Sequence, residues 1–169
     1  MDSIRADLNL LAMKFWCGVG SSEELSRWTN ATVMSTDELH PLIWDLYPQP
    51  SPELATALLL RMAEDVNGFQ PISVGAEAIA EDILRQSLIA FVARDISVQA
   101  LCRLADHLDS GFNLALADAP QPRPGTTDSQ WWQGDLYNCC DWCDDSWTHD
   151  DSPHLHAEAE RLLRVLNRR

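Results

Sequence analysis

The feature that most constrains the fold is the spacing of apolar side chains, which recur every three or four residues along most of the chain. Ile4, Leu8, Leu11 and Phe15 follow this spacing, so they share one face of a helix. Residues 76–95 carry the broadest apolar stripe of this kind. Strand-like stretches are few, short and isolated. The sequence therefore predicts an all-α fold, a helical array of about seven helices.

Several helix ends can be predicted from capping residues. Ser51, followed by Pro52 and Glu53, supplies an N-cap, a proline at the first helical position and an acid in the first turn. Ser152–Pro153 repeats the cap-plus-proline pattern and predicts the start of the last helix. Glycines after the apolar runs, in GVG at 18–20 and at Asn67–Gly68, predict where two helices end.

Three further helices are predicted with less distinctive ends. The sequence SSEEL predicts a capped start for a short helix through Arg27–Trp28, and Ser35 or Thr36 is expected to cap another that carries residues 39–46. Asp95 or Ser97 is expected to cap a third, in which Cys102 is interpreted as a small core residue.

The chain is predicted to be one domain over residues 1–169. This length is enough to bury roughly 70% of the surface that the unfolded chain exposes, so no cofactor is needed for folding and none is predicted. Residues 117–130 are rich in proline and predict an exposed loop. Residues 131–169 then comprise an acidic and aromatic helix followed by the C-terminal helix.

The net charge of −14 is unevenly distributed. Residues 128–160 hold nine acidic side chains and no lysine or arginine, whereas residues 161–169 hold four arginines. Such a field repels nucleic acid and anionic membranes and attracts a basic protein. We therefore expect a basic protein partner, and neither direct nucleic-acid binding nor membrane binding. The alternative is that the acidic charge serves only to keep the protein in solution.

A cytoplasmic location is expected. The first residues, MDSIRADLNLL, lack the basic start of a secretory signal, and no segment approaches the ~20 apolar residues of a membrane span. Five cysteines are an odd number, which favours free thiols in a reducing compartment.

Cysteines and histidines cluster between residues 136 and 156, in LYNCCDWCDDSWTHDDSPHLH. Cys140-x-x-Cys143 has the spacing of half a zinc site, and His149, His154 and His156 lie near enough in sequence to complete one. If residues 131–147 form one helix, however, all three cysteines share a face with Trp132, Leu136 and Trp147, where buried free thiols are favoured over thiolates. His154 and His156 are two residues apart and diverge on a helix. Zinc binding by the Cys and His residues at 139–156 thus stays an alternative.

The opposite face of that helix is predicted to bind the partner. It carries Trp131, Asp135, Asn138, Asp141, Trp142 and Asp145. Buried tryptophan is common at the centre of interfaces, and the nearby carboxylates of Asp144, Asp150 and Asp151 are expected to steer the encounter. The alternative is that another part of the same protein covers Trp131 or Trp142.

No enzyme is predicted. Glycine-rich phosphate loops, G-x-S-x-G and H-E-x-x-H are all missing from the sequence. A hydrolase with a carboxylate and histidine site, for example at His149–Asp150–Asp151, is the further alternative.

The stretch WWQGDLYNCCDWCDD, together with the size and the acidic charge, resembles bacterial immunity proteins. These are small, acidic, cytoplasmic helical proteins that neutralise a toxin delivered by contact-dependent or secretion-system competition. The resemblance implies tight binding of a cognate toxin, often a basic nuclease, with the predicted partner-binding residues covering its active site or an adjacent surface.

Overall fold

Helices provide the regular structure of this protein. The computed structural model describes residues 2–35, 38–71, 73–117, 136, 140, 144 and 146–167. Within these residues the chain forms seven helices, with Leu136 and Cys140 also helical, and no strand, which confirms the all-α class. The helices are α1 (Asp2–Trp16), α2 (Ser22–Ser35), α3 (Ile43–Leu46), α4 (Pro52–Asn67), α5 (Val74–Val92), α6 (Val98–Ala117) and α7 (Pro153–Leu166). None of them is long and apolar enough to cross a bilayer.

Contacts between residues divide the chain into two compact units, Met1–Ile79 and Ala80–Arg169. The division falls within α5. A single domain over residues 1–169 therefore remains a prediction.

In the first unit α1 packs along α4. The side-chain amide of Asn67 donates to Asn9 Oδ1 at 2.6 Å, and the Thr56 hydroxyl donates to the Phe15 backbone carbonyl at 3.3 Å. The buried side chains of the two helices are apolar: Leu8, Leu11, Ala12, Met13, Phe15, Ala55, Leu59, Met62 and Ala63. Burial of each large member stabilises the fold by about 2 kcal/mol, so apolar packing outweighs the two polar links.

The predicted caps of α2 and α4 are present. The Ser21 hydroxyl accepts from the Glu24 amide at 3.1 Å while the Glu24 carboxylate accepts from the Ser21 amide at 3.1 Å, a reciprocal capping box. The Ser51 hydroxyl accepts from the Leu54 amide, with Pro52 at the first helical position. Gly68 ends α4 in the left-handed conformation, at φ 64°.

Two predicted boundaries in this unit are wrong. Helix α2 continues past Trp28 to Ser35, because buried Thr29 donates its hydroxyl to the Leu25 carbonyl at 2.9 Å and tertiary packing overrides its weak helix propensity. The helix expected over residues 39–46 is a single turn, α3, with no cap from Ser35, which belongs to α2.

The second unit contains most of α5, then α6 and α7. Ser97 caps α6 by accepting from the Ala100 amide at 3.2 Å. The buried faces carry Ala80, Ile83, Leu84, Leu88, Phe91, Val98, Leu101, Leu104, Ala105, Leu108, Leu155, Ala159, Leu162 and Leu166. Cys102, interpreted as a core residue, is half-buried instead, because its helical neighbours Leu101 and Leu104 point into the core more directly.

The acidic and aromatic segment is described only in part. Leu136 and Cys140 are helical, four residues apart and buried, as expected for the inward face. The helix drawn over residues 131–147 ends earlier than predicted, since Asp144, Ser146 and Trp147 are not helical. Trp147 is therefore not on that helical face. Trp132, Cys139 and Cys143 lie outside the described residues, as do positions 118–130 of the predicted loop.

Substitution of Gly20 tests the packing of the first unit. A Cβ atom at this position would lie 2.3 Å from Cδ2 of the buried Phe15 ring. Gly20→Ala is expected to lower the free energy of unfolding by about 1–3 kcal/mol, because the ring has to move within a packed core. Urea denaturation monitored by circular dichroism measures the change.

Gly75→Ala is the matched control. The nearest atom to its Cβ would be the Ser73 hydroxyl oxygen at 3.8 Å, an ordinary contact. Because alanine favours the helix, the free energy of unfolding should be unchanged or higher by up to about 1 kcal/mol. Equal stability of both variants and the wild type would contradict the close approach at Gly20.

Candidate functional site

Three of the predicted partner-binding residues lie in one loop between the helical residue Cys140 and α7. This loop, residue 144 and residues 146–152, is called here the acidic loop. Asp144, Asp150 and Asp151 are all exposed in it, as expected. The other six predicted residues lie outside the described part of the chain: Trp131, Asp135, Asn138, Asp141, Trp142 and Asp145.

Two carboxylates of the acidic loop are held by local hydrogen bonds. Asp144 accepts from the hydroxyl of Ser146 and, at 2.7 Å, from its amide. Asp151 accepts from the hydroxyl and the amide of Thr148 at 2.6 and 3.1 Å. In each case the side-chain hydrogen bond, and then the backbone one, lowers the pKa of the aspartate. Both groups are therefore ionised, and their carboxylates are fixed in direction.

The backbone of the acidic loop is anchored to the turn between α5 and α6 and to the start of α6. The side-chain amide of Gln99 donates to the backbone carbonyl of Trp147 at 2.8 Å. His149 Nε2 lies 2.9 Å from the Ile96 carbonyl. Asp150 forms an ion pair of 3.0 Å with Arg94. These links place the carboxylates on a defined backbone.

Ser152 does not cap α7 in the way that the sequence suggested. Its hydroxyl is buried and donates back to the Thr148 carbonyl at 2.9 Å. The helix still begins at Pro153, with the Leu155 amide donating to the Ser152 carbonyl at 3.1 Å. The serine thus closes the acidic loop onto the start of α7.

His149 and His156, called here the histidine pair, join the acidic loop to α7. Their Nδ1 and Nε2 atoms are 2.9 Å apart, and both rings pack on Phe91, with centroid distances of 4.8 and 4.5 Å. The Ile96 carbonyl can only accept, so His149 must donate from Nε2. In the neutral pair His149 Nδ1 is then the acceptor and His156 donates from Nε2.

A shallow cleft of about 450 Å³ opens beside the histidine pair. Arg94, Asp150 and Glu160 also line it, so it presents both signs of charge. Among the described side chains, no three histidine, cysteine, aspartate or glutamate groups are placed to hold a metal ion. The cleft therefore offers both hydrogen-bonding and charged groups to a partner.

The remaining histidine of the zinc hypothesis points elsewhere. The exposed ring of His154 meets Trp147 edge-on at a centroid distance of 5.6 Å, whereas His156 stacks on Phe91. The two histidines of α7 therefore diverge, as their spacing indicated. Cys140 is buried in its helix, and Cys139 and Cys143 lie outside the described residues, so the zinc alternative stays a prediction.

Burial makes the thiol of Cys17 unreactive. Cys17 is fully buried, and this burial raises the pKa of its thiol to about 12. Cys17 is a free cysteine. Free cysteines were expected from their odd number, although Cys102 is less buried than predicted.

Sequence reasoning missed two features. The histidine pair joins His149, in the turn before α7, to His156 within α7, and the sequence did not indicate that this turn brings the two rings together. It also missed two exposed aromatic residues of the first unit, Trp44 and Tyr47. The sequence could have indicated their exposure, because each aromatic residue directly follows an apolar one, Ile43 or Leu46, in one short segment.

Comparison with protein-family models, with curated proteins and with solved structures gives no significant match.

The histidine pair predicts a pH dependence of stability. Burial, followed by the charges of His149 and Arg94, lowers the pKa of His156 against the opposing effect of Glu160 and Asp150. Because the folded pKa lies below the unfolded value of 6.5, the stability that His156 contributes is complete above this pH. It is lost as the pH falls through the folded pKa.

We expect the free energy of unfolding to fall between about pH 7.5 and pH 5, and His156→Gln to reduce this fall. Urea denaturation at both pH values gives the difference, and an NMR titration of the His156 ring gives its pKa. The comparison variant is His107→Gln, which removes an exposed histidine of α6; His156→Gln should change the pH dependence more than this variant does. A His156 pKa at or above 6.5 would contradict the assignment.

Proposed function

We propose that this protein binds and neutralises a basic protein, as an immunity protein acting in the cytoplasm of a bacterium against a nuclease-type toxin. The observation that carries the proposal is the acidic loop, where Asp144 and Asp151 are exposed, ionised and fixed by their own turns. Carboxylates that are already ordered lose little conformational entropy when a partner binds.

The charge around the acidic loop supports a basic partner. It belongs to the 33 residues, 128–160, that have nine acids and no lysine or arginine. Such a field raises the association rate of a cationic surface and weakens as salt screens it. A nuclease has to bind phosphates, so an acidic inhibitor also resembles its substrate in charge.

The ion pair between Asp150 and Arg94 does not neutralise this surface. Both side chains are largely exposed, 80% and 58% respectively, and an exposed pair is worth about 0–1 kcal/mol. A lysine or arginine of the partner can therefore replace Arg94 at Asp150 with little loss. Asp150 then becomes a third anionic contact beside Asp144 and Asp151.

Neutralisation of the fixed carboxylates tests the proposal. In Asp144→Asn/Asp151→Asn each amide oxygen can still accept from Ser146 or Thr148, so the turns are kept while two charges are removed. Against the basic protein that a pull-down with the wild-type chain recovers, the association rate constant should fall roughly ten-fold at low salt, with a smaller salt dependence. Stopped-flow fluorescence measures both.

The matched control is Asp106→Asn, which removes a charge from an exposed position of α6 outside the acidic loop. Its association rate should stay within about two-fold of the wild type. The proposal fails if the double variant associates as fast as the control, or if the wild-type rate is independent of salt.

A further inference from the structure

Trp44, in α3, and Tyr47, the residue directly after α3, are called here the aromatic pair and form an exposed surface. Their side chains are 57% and 53% exposed, although both residues belong to the packed first unit. The ring centroids are 6.3 Å apart and the planes are tilted by 54°. Two large aromatic rings side by side in solvent are uncommon unless a partner covers them.

The packing of α3 keeps the aromatic pair outside. Ile43 and Leu46 are each only 1% exposed, and α3 contacts both α2 and α4. Turning Trp44 or Tyr47 inward would expose these two aliphatic side chains, at a cost of about 2 kcal/mol each. The outward direction of the rings is therefore a property of the folded unit.

The chain that follows the aromatic pair is also held in a defined conformation before any partner binds. Gln49 has a left-handed backbone, φ 57°, which is unfavourable for a non-glycine residue. Its amide donates to the Leu46 carbonyl at 3.1 Å and its side chain donates to the Ser26 hydroxyl at 2.8 Å. Pro48, Pro50 and Pro52 add further rigidity.

The charge around the aromatic pair is negative. Asp45 and Glu53 are exposed, and no lysine or arginine occurs between Arg27 and Arg61. Arg27 pairs with Glu23, and Arg61 pairs with Glu64 and Asp65. Glu53 is ionised, because its own amide and the Ser51 hydroxyl lower its pKa.

We propose that the aromatic pair is a second protein-binding surface, which takes an arginine-bearing segment of a basic partner. A guanidinium group stacks on the face of tryptophan or tyrosine, and Asp45 supplies the carboxylate that such a cation requires. Exposed aromatic rings and the exposed carboxylate of Asp45, next to Trp44 in the sequence, thus match the flat face and the charge of a guanidinium group. The inference rests on the proposed function for the basic character of the partner.

The negative charge near the aromatic pair disfavours two other binding partners, a second copy of this chain and an uncharged apolar protein. A second copy of this chain would bring its own Asp45 and Glu53 toward those of the first copy, because a two-fold interface places the same patch on both sides. An uncharged apolar partner would cover these carboxylates without pairing them. An arginine-bearing segment avoids both costs.

The probe for this surface is a fluorescein-labelled nine-residue peptide of alternating arginine and serine, compared with a peptide in which citrulline replaces arginine. Fluorescence anisotropy with the full chain should show about ten-fold weaker binding for Trp44→Ala and for Tyr47→Ala. Ile89→Ala, which truncates an equally exposed apolar side chain of the second unit, should bind as the wild type does. The Trp44 indole resonance, assigned by its loss in Trp44→Ala, should shift on titration.

Each result that contradicts the proposal also shows where or how the peptide binds instead. Equal binding of the citrulline peptide would overturn the proposal, and so would a dimer in sedimentation that Trp44→Ala abolishes. If Asp144→Asn/Asp151→Asn weakens peptide binding while Trp44→Ala does not, the peptide binds the acidic loop; the inference fails and the proposed function stands. Weaker binding with Trp44→Ala alone supports the inference independently of the acidic loop. Unchanged circular dichroism spectra exclude misfolding of the variants.

Discussion

The hydrogen bond between His149 and the Ile96 carbonyl is the constraint on which the acidic loop depends. A carbonyl only accepts, so this 2.9 Å contact fixes the proton on His149 Nε2. Nδ1 is then free to accept from His156, which joins the acidic loop to α7 and stacks on Phe91. One backbone oxygen thereby orders two imidazole rings and three chain segments of the second unit.

An acidic loop of this kind has to be stabilised against its own charge. Asp144, Asp150 and Asp151 lie within eight residues, and like charges so close in sequence favour expanded conformations. Donors within the same loop, Ser146 and Thr148, offset this repulsion without removing the negative charge. The charge therefore remains available to a partner, which is what steering of a basic protein requires.

Local signals were predictable from the sequence, and contacts across the chain were not. The proline at the start of α4 and the glycine at its end act within one turn, so Ser51 and Gly68 marked its ends correctly. The end of α2 depended on burial of Thr29, which tertiary packing decides. The histidine pair depends on a turn that brings His149 back to α7, and helical spacing carries no information about it.

Acidic charge also explains why the first unit can expose aromatic side chains. Trp44 and Tyr47 would favour association with any apolar surface, since each exposed ring gains free energy on burial. At a net charge of −14, two copies repel each other, and the exposed Asp45, next to Trp44 in the sequence, adds a local penalty to self-association. A cationic partner meets attraction where a second copy meets repulsion. Charge thus favours binding of a cationic partner to these rings over self-association. A neutral variant of the same shape would lose that discrimination.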